Sequence, residues 1–238
     1  MDKWAAITGS SNGIGAGLAE VFAQNGYSII LHGRNQNDLE RMYKKIKDQG
    51  VEADIVEGDV RNSKTLEALL QISRDRGIDV LVNNVGYRCP GLPLNELSNE
   101  QIKDMLDVSL NVPIKITREA YKYFIKRGEG CIMNMISIVG LEPKKLRSVY
   151  TAVRHGLRGF TESLKLEAAD NNIRVIGIYP TRVMTKPEFE YGWNVTEACE
   201  KIFRAYEDGV DNLILDDRPA KYRPSSYPIN ARVHLLNP

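Results

Sequence analysis

Short apolar runs recur along the chain and alternate with longer stretches of helical period. The runs fall at residues 4–8, 27–31, 53–57, 80–82, 130–136, 173–178 and 212–215. Most are apolar almost throughout rather than at every second position, which predicts strands buried on both faces. Between them the pattern predicts helices over about 14–25, 38–50, 63–76, 102–127, from 150 onward, and 196–206. Ser63 is read as the cap of the third helix. Ser98-Asn99-Glu100-Gln101 is read as a capping box opening the fourth. Pro113 interrupts that helix: it brings no amide hydrogen, so the Ser109 carbonyl loses its helical partner and is free to hold a water. A strand–helix alternation kept up this long predicts a doubly wound parallel α/β sheet of about seven strands with helices on both faces. From Asp216 the chain is rich in Pro, Arg and Tyr without period, so 1–238 is read as one domain with 216–238 as its tail.

Composition narrows the classes. The 238 residues carry 32 Lys and Arg against 31 Asp and Glu, a net charge of +1. No overall field favours nucleic acid or a membrane surface, and no apolar run reaches the length of a membrane span. Cys89, Cys131 and Cys199 form no paired motif, which fits a reducing, cytoplasmic setting. No metal site is expected.

The chemistry concentrates at strand ends. Gly9-Ser10-Ser11-Asn12-Gly13-Ile14-Gly15 follows the first strand and opens a helix. Glycines there permit a tight turn and let a pyrophosphate approach the helix N-terminus, where amides and dipole favour negative charge. After the second strand stands Gly33-Arg34, with no acid for ribose hydroxyls; a bidentate arginine there suits a 2′-phosphate, and so NADP(H), with NAD(H) still open. Asn83-Asn84-Val85-Gly86 ends the fourth strand, where open α/β sheets bind ligands. Ser137 closes the fifth. Tyr150 and Arg154 stand four apart on one helix face, and a fixed cation beside a phenol favours its ionised form.

Taken together, residues 3 to 215 resemble a short-chain dehydrogenase/reductase of the compact type, a Rossmann-like fold. The family's T-G-x-x-x-G-I-G is matched by Thr8 to Gly15, its D-V pair by Asp59-Val60, and its N-N-A-G turn by Asn83 to Gly86. Its catalytic serine and tyrosine match Ser137 and Tyr150, and its loop over the nicotinamide matches Pro180, Thr181, Val183 and Thr185. The resemblance implies cofactor contacts from Gly9, Ser11, Asn12, Gly13, Ile14, Gly15, Arg34, Asp59, Val60, Asn83, Val85, Gly86, Tyr150, Arg154 and the Pro180 loop. It implies a catalytic set of Ser137, Tyr150, Arg154 and Ser109. The last two are departures: arginine stands for the family's lysine, and serine for its helical asparagine. Asn111, two residues on, is expected to face elsewhere. A small-molecule substrate and a homo-oligomer, dimer or tetramer, are implied. The basic Lys144-Lys145-Leu146-Arg147, with Arg182 in the facing loop, hints at an anionic carbonyl compound such as a sugar acid or acyl derivative. Two functions stay open: an NADPH-dependent carbonyl reductase or alcohol dehydrogenase, and an NADP(H)-binding protein with little chemistry, a sensor or assembly partner.

Overall fold

The computed structural model describes residues 2–185, 190–224, 226–228 and 233–236. Strands β1 (Lys3–Ile7), β2 (Tyr27–Gly33), β3 (Ala53–Glu57), β4 (Val80–Asn83), β5 (Gly130–Met135), β6 (Ile173–Pro180), β7 (Asn212–Leu215) and β8 (Val233–Leu236) form one parallel sheet in the order β3-β2-β1-β4-β5-β6-β7-β8. The chain reverses its direction of travel between β1 and β4, which opens a crevice at the carboxyl ends of those strands.

The apolar runs are explained by what covers them. Ala5 and Ile7 of β1 pack into one layer with α1 (Gly13–Gln24), α2 (Gln36–Lys47) and α7 (Val195–Glu207). Trp4 and Ala6 point the other way, to α3 (Ser63–Arg76), α5 (Val112–Arg127) and α6 (Ser148–Ala168). With both faces covered, neither parity of the strand has reason to be polar. Leu157 and Leu164 of α6 are buried in these layers and Phe160 packs against them, so the apolar stripe of α6 is core.

Two expectations change in detail. Asn62, not Ser63, caps α3: its side-chain oxygen accepts the Lys64 amide at 2.9 Å, and Ser63 is already helical. The tail is more than an appendage, since β8 pairs in parallel with β7, Asn212 opposite Val233. Four residues of edge strand are too few to show a period. The capping box of α4 (Asn99–Leu106) forms as read, Ser98 with Gln101. Between α4 and α5 the chain runs through a π turn at Asp107–Asn111, with the Val112 amide bonded five residues back to Asp107. Missing an amide hydrogen, Pro113 is the local reason that the ladder changes pitch there.

Candidate active site

The glycine turn is held in place from three sides. Gly9 has φ +68°, the left-handed region. A side chain at Gly15 would place its Cβ 2.2 Å from the Gly9 carbonyl oxygen and 2.5 Å from Asn84 Nδ2. That carboxamide donates to the carbonyls of Thr8 and Gly9 at 2.9 and 3.2 Å, closing the turn against β4. The Thr8 hydroxyl accepts the amides of Asn84 and Val85 at 3.0 and 3.1 Å. Asn12 stands at the N-cap of α1 but its side chain makes no capping bond; it donates to Asp38 and accepts from Arg41 instead. The first turn of α1 carries no acid. Its N-terminal amides are therefore not satisfied by this chain's own cap, as an anion site requires. Thr185 lies beside Gly13, 3.3 Å from a Cβ built there, so the loop after β6 reaches the turn.

His32, at the end of β2, was not singled out in the sequence. The Gly9 amide donates to its Nδ1 at 3.2 Å, so Nε2 carries the proton and donates to the Gly58 carbonyl at 3.2 Å. The ring is 1% exposed. Burial holds it neutral and lowers its pKa from 6.5 to about 4. The ring thus ties the glycine turn to the end of β3. Ser11 packs against Gly33, where a Cβ would meet its hydroxyl at 2.9 Å. Asp59 accepts Arg61 through both oxygens, at 3.0 and 2.7 Å, and Arg61 reaches on to Asp104 of α4. The Arg61 hydrogen bonds hold the Asp59 carboxyl down at about 2. A cavity of about 740 Å³ opens among these groups, lined by Gly9, Ser11, Arg34, Asp59, Val60, Val85 and Gly86 from the expected set. It lies within the ~300–1,000 Å³ usual for small-molecule clefts.

The Asn83 side chain turns into the fold. It is buried, and its amide donates to Thr117 and Asn134, both at 2.8 Å, inside the fold. Strand alternation turns neighbouring residues to opposite sides, so Asn84 is the asparagine at the cleft.

Ser137 follows β5 with φ +91° and ψ 151°, a region held almost entirely by glycine. Its hydroxyl faces the Pro180 carbonyl at 3.5 Å and the Val139 amide at 3.4 Å. Helix α6 braces both ends of this bend. Arg154 donates to the Met135 carbonyl at 2.9 Å, and Arg158 to the Gly140 carbonyl at 3.2 Å. Tyr150 packs against the cluster that holds Ile136, Ile138 and Val139, the neighbours of Ser137. The Arg154 guanidinium lies 4.8 Å from the centre of the Tyr150 ring. It is buried, abuts Gly86, where a Cβ would lie 2.6 Å from it, and its Nε has no hydrogen-bond partner among the described residues. Ser109 is buried and its hydroxyl accepts the Tyr87 amide at 2.8 Å. Asn111 is exposed and bonds Asp107.

The lip beyond Ser137 is fastened by the tail. Arg218 forks onto Glu142 at 2.7 and 3.0 Å and onto the fully buried Asp216 at 2.9 and 2.8 Å. Tyr227 also donates to Asp216, and the Thr181 hydroxyl bonds Asp217. Val183 is buried and bridges to Trp193. Besides His32, the residues that sequence reading missed are Asn84, Arg61, Asp104 and the pairs of this tail. Only Asn84 carried a signal, its place in the N-N turn.

No helix among the described residues is long and apolar enough to cross a membrane. Comparison with known proteins extends the picture. A family model for short chain dehydrogenase matches residues 3–191. A diacetyl reductase of Staphylococcus epidermidis, (S)-acetoin forming, is 33% identical over 183 residues, covering 76% of this chain and 71% of that protein. An alcohol dehydrogenase from the archaeon Thermococcus sibiricus, solved with 5-hydroxy-NADP, superposes at TM-score 0.81 with 26% identity, over 94% of this chain and 99% of its own. A bulky-bulky ketone specific alcohol dehydrogenase from Comamonas testosteroni superposes at TM-score 0.84 over 92% and 88% of the two chains, and its 23% identity speaks for the fold alone. A family match over that much of the sequence, on a sheet of the same topology, shows that this chain belongs to the short-chain dehydrogenase family.

Proposed function

We propose that this protein is an NADPH-dependent oxidoreductase that transfers a hydride between a nicotinamide and a carbonyl or secondary-alcohol substrate. The observation that carries the reading is the Arg154 guanidinium, laid over the Tyr150 ring and tied to the strand that ends at Ser137. The residues present fit a dinucleotide. Gly15 has no room for a side chain, the amides opening α1 have no side-chain cap, and Arg34 is exposed with no ion pair among the described residues. Relatives solved with NADP(H) derivatives support that choice. When bound, the dinucleotide supplies or accepts the hydride. Ser137 then orients and polarises the carbonyl oxygen, and Tyr150 transfers the proton to or from it. Arg154 supplies fixed positive charge beside the phenol and a donor for ribose hydroxyls.

Lys144, Lys145 and Arg147 have no ion pair among the described residues and stand on the loop between Ser137 and Tyr150. They support an anionic carbonyl substrate, such as a sugar acid or an acyl derivative. Replacing both lysines by Ala raises KM for such substrates and leaves NADPH affinity unchanged. Self-association is part of the same reading, by family likeness.

A second reading, a cofactor-binding protein with little catalysis, has its own support. Arginine stays protonated at working pH, so Arg154 cannot hand a proton on. The Ser109 hydroxyl is engaged by the Tyr87 amide. Titration of the purified protein with NADPH and NADH, followed by a screen of ketones, separates the readings. NADPH binds at least about tenfold tighter than NADH, and Tyr150→Phe lowers turnover by about 10²-fold or more with NADPH affinity kept. Arg154→Lys preserves or increases turnover and shifts its pH profile. NADPH binding without turnover on any carbonyl tested favours the second reading; binding of neither dinucleotide overturns both.

A further inference from the structure

The cavity at the switch point is lined by three arginines, Arg34, Arg61 and Arg88, and two aspartates, Asp59 and Asp104. Arg61 engages both aspartates, with its Nε and Nη2 on Asp59 and its Nη1 on Asp104. That leaves Arg34 and Arg88, both exposed and both without an ion pair or hydrogen bond among the described residues. Their places in the sheet differ in a useful way. Arg34 follows β2 and Arg88 lies five residues past the end of β4, while β1 runs between those two strands. The glycine turn leaving β1 therefore lies between the two strand ends from which the arginines come. Gly9 and Ser11 of that turn line the same cavity, and the α1 amides that follow it lack a side-chain cap, with no acid in the first turn to compete for them.

We infer that Arg88 is a pyrophosphate ligand of the dinucleotide, a second cation acting across the glycine turn from Arg34. The inference rests on the dinucleotide reading above and deepens it. A 2′-phosphorylated dinucleotide brings two separate anionic groups, the 2′-phosphate and the diphosphate. Arg34, on the β2 side, serves the first. On the second, backbone amides and a helix dipole act as partial charges, and Arg88 adds a full charge with a planar fork that matches two phosphate oxygens. The backbone that carries Arg88 is positioned for this. The Tyr87 amide is anchored on the buried Ser109 hydroxyl, so the serine at the family's asparagine position fixes the root of the loop that presents Arg88.

Equilibrium titration of NADPH and NADH against the wild type, Arg34→Ala, Arg88→Ala and Arg88→Lys tests the assignment, with circular dichroism to confirm that each variant is folded. Arg88→Ala weakens NADPH and NADH alike, by about five- to tenfold, and leaves their ratio unchanged, because both carry the diphosphate. Arg88→Lys recovers part of the loss, and raised salt narrows the gap between Arg88→Ala and the wild type. Arg34→Ala weakens NADPH alone. If Arg88→Ala binds both dinucleotides as the wild type does, or loses NADPH selectively, the pyrophosphate assignment is wrong while the cofactor reading stands. If the wild type binds neither, both fall.

Discussion

At the residue scale the least conspicuous group has the clearest consequence. His32 is one of three histidines in 238 residues, and it accepts the Gly9 amide only while Nδ1 is unprotonated. Its pKa is lowered to about 4 in the fold against 6.5 in an open chain. Between those values the unfolded state binds the proton and the folded state does not, so stability rises with pH across that window. The contribution is complete above pH 6.5 and lost as pH falls toward 4, amounting to at most about 3 kcal/mol. Chemical denaturation from pH 7.5 to 4.5 shows this slope in the wild type and a flatter one in His32→Phe. Equal slopes would mean that other groups set the acid limit. Ser137 shows strain at the same scale: its positive φ costs of order 1–3 kcal/mol, and Arg154 and Arg158 bracket it from Met135 and Gly140.

At the element scale, the tail and the loop after Ser137 act as one unit. Burial alone raises the pKa of the Asp216 carboxyl, yet the bonds from Arg218 and Tyr227 outweigh it and hold the group below the ordinary carboxylate range. The carboxyl's folded pKa is depressed, so its contribution is present above the unfolded value, near 3.8, and disappears as pH falls through the folded one. Arg218→Ala leaves a buried carboxylate short of its partner and destabilises by about 3 kcal/mol. Glu142→Gln keeps Asp216 satisfied and costs under about 1 kcal/mol, since that pair is partly exposed. Urea unfolding of both variants checks the difference; a Glu142→Gln loss as large as that of Arg218→Ala would place the main support on the loop rather than on Asp216.

At the scale of the whole molecule, the sheet joins distant segments at one edge, the carboxyl ends of its strands. The glycine turn, the ends of β2 and β3, the loop after β4, Ser137 and the loop after β6 come from positions far apart in the chain. A ligand that binds this edge only when it is assembled stabilises the fold by about 2.7 kcal/mol at a hundred times its dissociation constant. For a chain of this size that is a rise in Tm of roughly 5–10 °C with saturating NADPH. The same concentration of NADH gives a smaller rise, and differential scanning fluorimetry reads both.

Covalent neighbours and local period were enough to decide a good deal. Strands buried on both faces leave apolar runs, glycine turns demand glycine, and Tyr150 with Arg154 follows from helical spacing alone. The doubly wound sheet, the glycine turn at α1 and the strand ends that line the cleft were therefore legible. What the sequence could not show depends on pairs that only folding brings together. Asn83 faces inward because Thr117 and Asn134 wait there, 34 and 51 residues away. His32 is neutral because burial and the amide of Gly9 make it so. Asp216 in the aperiodic tail became a support of the Ser137 loop because Arg218 reaches Glu142, 76 residues earlier. Local pattern is written in short-range sterics and hydrophobic period; charge pairing and desolvation act through space, and only the tertiary structure supplies those distances.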